Sequence, residues 1–303
     1  MHTEHLRGIT VMLVAVGVFA VMDGLLKLLA PHYSPMQLSA MRGAASLPFM
    51  LAPLLVMGRL RELKPVRWSL HLARGVLVLF VMGGFVYAVR VLSLADAYSI
   101  FLAAPLIVTA LSMPLLGEHV GWRRWLAICV GLSGVLIMLR PQASSVLTLG
   151  ALAALASAAA YSVSAITVRV LTRTDTTGSI VFWVIVQLTV FSTLIAWSSW
   201  QAVRPQDWWP LVGIGLSGAV AQHLLTEAFR LAPASVVAPF EYTALLWGIA
   251  LDYTFWDVLP SSRVYFGGGV VIASGLYLIW RERQLLPAIA ARPSPSANVT
   301  SAT

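Results

Sequence analysis

Residues 132–140 read LSGVLIMLR, and residues 273–281 read ASGLYLIWR. Ser133-Gly134 falls on Ser274-Gly275 and Arg140 on Arg281, an offset of 141 positions. Upstream, LSLADAYS from Leu92 parallels LAPASVVA from Leu231 at an offset of 139, with Leu92 over Leu231 and Ala95 over Ala234. The small difference in offset falls in the loops after Glu118 and Asp257. A single match between two apolar runs is common. Two matches in the same order, marking both ends of a longer unit, indicate an internal duplication.

The composition says what kind of unit is duplicated. Of 303 residues, 59% are hydrophobic and 11% charged, with a mean hydropathy of +0.83. A soluble domain is about 45–50% apolar and about 25% charged, and cannot hide this much apolar surface. A cytosolic enzyme and a DNA-binding protein are excluded despite the net charge of +8. One cysteine excludes an intrachain disulfide scaffold. Ten apolar runs have the length a membrane helix needs, roughly 20 residues: 8–30, 35–57, 68–90, 95–116, 122–140, 147–170, 178–200, 208–229, 234–254 and 263–281. They are apolar on every face, which excludes a β-barrel with its alternating strands. The first run has no clean cleavage site and is read as an uncleaved helix.

The sequence therefore predicts an all-α membrane protein of two five-span repeats, 8–140 and 147–281, with a disordered tail over 284–303. Five is odd, so the second copy enters the membrane from the opposite side, which is an inverted repeat. Fourteen of the 20 Lys and Arg residues fall on one side, including Arg59, Arg61, Lys64, Arg67, Arg123, Arg124, Arg169, Arg173 and Arg281. The positive-inside rule puts that side, and both termini, in the cytoplasm of an inner-membrane protein. Inverted repeats provide two near-equivalent packings, the hardware of alternating access.

These residues resemble the EamA family of the drug/metabolite transporter superfamily, once per half over residues 8–283. The features that carry the resemblance are Arg42, LSLADA from Leu92 running to Pro105, Gly117-Glu118, and GLSGVLIMLRP from Gly131. In the second half they are AFRLAPASVVAPFEYTALLW from Ala228 and SGLYLIWRER from Ser274. Trp256-Asp257 departs from the usual Gly-Glu. The resemblance implies a basket of ten helices, with spans one to four and six to nine around a central cavity and spans five and ten behind. It implies a carrier of small organic solutes. Members export amino acids, related metabolites or opine-type metallophores, or take up riboflavin or S-adenosylmethionine.

Ionisable residues at membrane depth are expensive and mark function. Asp23 and Lys27 are four apart on the first span, hence on one face. Arg42 lies seven residues into the second span, about 10 Å by helical rise. Arg42 and Lys27 suit a carboxylate, and Asp23 an amine; the alternative is a structural ion cluster. His223, Glu227 and Arg230 form a stripe on the eighth span, and Glu241 lies inside the ninth. His223, Glu227 and Glu241 are candidates to carry a coupling proton, with an interfacial Glu227–Arg230 pair as the alternative. Phe101, Tyr161, Trp183, Tyr242 and Trp247 are candidate ring-stacking residues. Pro105, Pro114 and Pro239, in spans four and nine, are candidate hinges. No metal-ligand spacing, cofactor motif or nucleophile–base pair is present, so a membrane enzyme or a scaffold is the weaker reading. The expected partners are a small solute and the lipid bilayer, without nucleic acid, in a monomer or homodimer. Export of an amino acid or a derivative is the first reading, and uptake of a vitamin or cofactor the second.

Overall fold

The computed structural model describes residues 2–116, 122–139, 149–232 and 237–290. The first half contains α1 (His2–Leu29), α2 (Pro35–Val56), α3 (Trp68–Val91), α4 (Leu94–Phe101), α5 (Ala103–Leu116) and α6 (Trp122–Leu139). The second contains α7 (Leu149–Leu171), α8 (Thr177–Ala196), α9 (Trp208–Leu231), α10 (Thr243–Trp256) and α11 (Ser262–Ala290). No strand occurs among the described residues. Lipid offers the backbone no hydrogen bonds, so each apolar run closes its own as a helix. The ends are set by polar caps. Ser34, Ser93 and Thr176 accept from the backbone N–H groups of Gln37, Asp96 and Ser179.

Two expected spans are not single helices. The fourth is split at Leu102 into α4 and α5, and the ninth begins as a 3-10 turn, Ala238–Tyr242, before α10. Pro105 and Pro239 stand at these two interruptions, where each lacks the N–H that a regular helix needs. Pro114 lies within α5. Among the described residues, five helices are long and apolar enough to span on those grounds alone: α1, α2, α3, α7 and α8. α9 has the length, but Gln222, His223, Glu227 and Arg230 make it polar. The last helix continues past Gln284 to Ala290, because Gln284-Leu285-Leu286 are good helix formers. The rest of the expected tail, 291–303, lies outside the described residues, as does Gly117-Glu118. Asp257 ends α10 in the left-handed region, φ 52°, a position glycine usually takes.

Helix pairing follows the repeat. Span one (α1) packs on span eight (α9), and span three (α3) on span six (α7). Adding or subtracting five turns one pair into the other. Span two (α2) packs on span seven (α8), span five (α6) on span ten (α11), and span four (α4) on span nine (α10); each of these pairs maps onto itself. The α6–α11 pair contributes no described residue to the wall of the central cavity. Small residues permit the closest approaches. A Cβ added to Gly215 of α9 would collide with the Ala45 carbonyl oxygen of α2. That neighbour is backbone and cannot step aside. Gly215→Ala is therefore expected to lower stability by about 1–3 kcal/mol, as overpacking does, measured as a lower melting temperature in detergent.

Both ends of this bundle are tied by polar groups. At the end holding 30–34 and 197–207, Tyr33 Oη donates to Asp207 Oδ2 at 2.5 Å. Arg204 holds the same carboxylate through Nε at 2.7 Å and Nη2 at 3.0 Å. The Arg204 fork, helped by Tyr33, keeps the Asp207 carboxyl below the usual carboxylate range. At the opposite end, Asp175 accepts from the Val66 N–H at 2.8 Å and from Thr174 at 2.7 Å, and it faces His71 Nε2 at 2.9 Å. Burial alone would raise Asp175; the bonds from His71, Val66 and Thr174 outweigh it and hold the carboxyl low. A depressed acid stabilises the fold above its unfolded pKa of about 3.9, and that stability is lost as pH falls through the folded value. Asp175→Asn should therefore melt lower than wild type at neutral pH, and the difference should shrink below about pH 4.

Candidate functional site

α3 turns one face inward: Arg74, Val78, Val81, Met82 and Phe85 recur at helical spacing along a central cavity. Around it stand Val16, Phe19, Met22 and Asp23 of α1, Arg42 of α2, Tyr98 and Phe101 of α4, and Tyr161, Ser164 and Val168 of α7. Gln222, Leu225 and Phe229 of α9, Glu241 of the 3-10 turn and Ala244 of α10 complete the wall. The open space, counted out to its mouth, is about 1040 Å³. Spans one to four, six, eight and nine line it. Span seven adds Val184, Ile185 and Leu188 to a small side pocket that shares Arg42 and Gln222.

Most of the wall is apolar, and its polar groups are few and buried. Arg42 is 5% exposed; its guanidinium points at the thioether sulfurs of Met22 (Nε, 3.1 Å) and Met82. A thioether is a weak acceptor for a cation with five N–H groups. Gly218 leaves the room: a Cβ there would meet Ser46 Oγ at 2.9 Å and stand 3.7 Å from Arg42 Nε. Asp23, 7% exposed, accepts from Tyr98 Oη at 2.8 Å. Arg74, 3% exposed, gives one N–H to the Ile180 carbonyl at 2.9 Å, and its Nε has no hydrogen-bond partner among the described residues. Glu241 accepts from Tyr161 Oη at 2.9 Å. Among the described residues no carboxylate lies within 4.0 Å of the Arg42 or Arg74 nitrogens.

The two tyrosines are joined by rings. Tyr98 stacks on Phe85 at 5.9 Å between centroids, Phe85 meets Phe101 at 5.5 Å, and Phe101 meets Tyr161 at 5.3 Å. A continuous aromatic track thus runs between the two carboxylates.

The cavity collects Asp23, Arg42, Phe101, Pro105, Tyr161 and Glu241 from the residues singled out in the sequence. The others lie elsewhere. Lys27 shares a helix face with Asp23 but reaches Asp252 Oδ1 of α10 at 2.5 Å and sits over the Trp256 ring at 4.4 Å. Asp252 is fully buried, and its Oδ2 also accepts the N–H of Ala95 in the first turn of α4. Trp183 donates its indole N–H to the Leu63 carbonyl at 2.8 Å and packs edge-on against Trp68. Trp247 is 45% exposed on the outer face of α10, against Gly17. Tyr242 is buried in the apolar core with Leu245 and Val264. His223 is exposed on α9. Glu227 accepts from Thr177 at 2.9 Å, in a cluster completed by Arg230.

Arg74 and Tyr98 are site residues that sequence reading missed. Arg74 counts in the sequence only as one of the fourteen basic residues of one side, although it lies six residues inside α3, about 9 Å by helical rise. Tyr98 was read only as part of a repeated motif.

A family model described as the EamA-like transporter family matches residues 6–140 and again 148–281. A riboflavin transporter of Vibrio cholerae is 25% identical over 244 residues, 80% of this chain and 82% of its own. An S-adenosylmethionine uptake transporter of Rickettsia prowazekii is 24% identical over 234 residues, 77% and 79% of the two chains. A crystal structure 16% identical in sequence superposes with a TM-score of 0.70, covering 94% of this chain and 99% of the other, which is a likeness of fold. Two matched repeats, and helical spans from both of them around a central cavity, lead to one conclusion: this chain is a multi-pass membrane protein that belongs to the EamA-like transporter family.

Proposed function

We propose that the protein carries a small, ring-bearing metabolite with an ammonium–carboxylate head group across the inner membrane, by alternating access through the central cavity. The observation that carries this reading is Arg42: a buried cation on the cavity wall whose nearest partners are two thioethers. A bidentate carboxylate is the ligand such a fork lacks. Asp23, within electrostatic reach of Arg42, receives the ammonium. The aromatic track receives the ring. The inverted relation of the halves supports the alternating step, and the interruptions at Pro105 and Pro239 are the hinges. Relatives named as uptake transporters support inward movement over export of an amino acid. The excess of basic residues at the 57–67 and 172–176 end supports placing that end in the cytoplasm. Reporter fusions after residues 62 and 174 are then expected to read cytoplasm, and those after 33 and 205 the outside.

The test is counterflow in proteoliposomes with radiolabelled tryptophan, S-adenosylmethionine and riboflavin. The first two have an amino-acid head group beside a ring; riboflavin has the ring without that head. Saturable exchange of at least one headed probe is the expected result. Exchange of riboflavin alone would contradict the head-group reading.

A further inference from the structure

The cavity has a second polar end that the head-group site at Arg42 does not use. Arg74 enters from the opposite side of the membrane: α2 starts at one end and reaches Arg42 in seven residues, whereas α3 starts at the other and reaches Arg74 in six. Arg42 touches Met82, which is eight residues beyond Arg74 on α3, about 12 Å by helical rise. Each end therefore holds one under-satisfied guanidinium, one carboxylate and one tyrosine hydroxyl bound to that carboxylate. At the first end these are Arg42, Asp23 and Tyr98; at the second, Arg74, Glu241 and Tyr161.

The repeat explains the likeness. Tyr98 of span four binds Asp23 of span one, and Glu241 of span nine binds Tyr161 of span six. Adding five to the first pair of spans gives the second. Asp23 and Tyr161 are 138 positions apart and Tyr98 and Glu241 are 143 apart, within one helical turn of the repeat offset. Acid and tyrosine have exchanged places, but the hydrogen bond between them is kept. Both pairs sit at an interrupted helix, α4 before Leu102 and the turn before α10. The second end also has a sign of a missing ligand: Arg74 lines the cavity, and its buried Nε has no hydrogen-bond partner among the described residues.

We propose that Arg74, Tyr161 and Glu241 form a second ammonium–carboxylate site, which holds the same head group when the cavity faces the Trp68 end. The solute is handed from Arg42 to Arg74 while its ring slides along Phe85 and Phe101. Arg74 takes the carboxylate; Glu241 takes the ammonium, with Tyr161 fixing the carboxylate's direction. This rests on the head-group reading above and adds to it a site and a sidedness. It also gives Glu241 the role of a ligand and not of a proton carrier.

The test uses membrane vesicles of both orientations, with radiolabelled tryptophan and S-adenosylmethionine as probes. Arg74→Gln should raise the half-saturating concentration at least about tenfold from the Trp68 face, equivalent to about 1.4 kcal/mol, and change it little from the Pro35 face. Arg42→Gln should do the reverse. Arg74→Lys should recover part of the loss, because the charge remains without the fork. Tyr161→Phe keeps the packing and should weaken binding from the Trp68 face alone. Glu241→Gln should reduce passive exchange and gradient-driven uptake together. Equal shifts on both faces, or normal exchange with only driven uptake lost in Glu241→Gln, would overturn the second site while leaving the site at Arg42 intact. Failure of the wild-type protein to exchange either probe would overturn the head-group reading itself.

Discussion

Arg42→Ala is expected to abolish solute exchange, a loss of about 10²-fold or more, while the protein still inserts and purifies as a folded species. Each charge-assisted hydrogen bond to a carboxylate is worth about 1.5–3 kcal/mol, and the guanidinium offers two in parallel. The fold does not depend on this cation in the same way. Its recorded side-chain partners are two methionine sulfurs, both weak acceptors. Arg42→Lys should keep a minor part of the activity, since an ammonium brings charge without the planar fork. Counterflow in proteoliposomes checks both variants. Wild-type exchange in the alanine variant would make Arg42 a structural clamp between α2 and the methionines of α1 and α3.

Asp252→Ala has the largest effect expected on stability. Asp252 is fully buried and joins three spans: Lys27 of α1, the first turn of α4 through the Ala95 N–H, and its own helix α10. Its removal leaves a part-buried ammonium, 13% exposed, and an uncapped helix N–H. Breaking one partner of a buried ion pair costs about 3–5 kcal/mol, because the other charge stays uncompensated. Replacing both partners by apolar groups is often neutral. Lys27→Met combined with Asp252→Leu should therefore melt well above Asp252→Ala alone. Thermal unfolding in detergent measures the difference. An unchanged melting temperature in the single variant would mean that the pair contributes nothing to holding span one against span nine.

How much of this was legible in the sequence varies by level. The ten runs and the two repeats were legible because lipid leaves the backbone no choice but to close its own hydrogen bonds, and because duplication leaves a register. The interruptions in spans four and nine were half legible. Pro105 and Pro239 were visible as missing donors, but hydropathy reads straight through Leu102. Depth along a helix found Asp23, Arg42 and Glu241, and the same arithmetic applied to Arg74 would have found it too. Helical spacing failed for Lys27. Residues four apart share a stripe, but Asp23 meets α4 and Lys27, one turn further on, meets α10. Which neighbour a stripe meets is a tertiary fact. Asp252 was missed for that reason, since its partner lies 225 positions away. Trp183 and Trp247 were misplaced likewise: nothing in their spacing tells the cavity from the Leu63 loop or from the outer face of α10.

The central claim is that one cavity opens to each side in turn. Cys129 is the chain's single cysteine, so Cys129→Ser gives a background without thiols. Val81→Cys then places one thiol on the cavity wall, between Arg74 and Phe85. The measurement is its labelling by a membrane-impermeant thiol reagent added to either face of oriented vesicles, with and without a transported probe. The account predicts labelling from both faces, slowed from both by the probe. Labelling from one face only, or from both at a rate that the probe leaves unchanged, would contradict it.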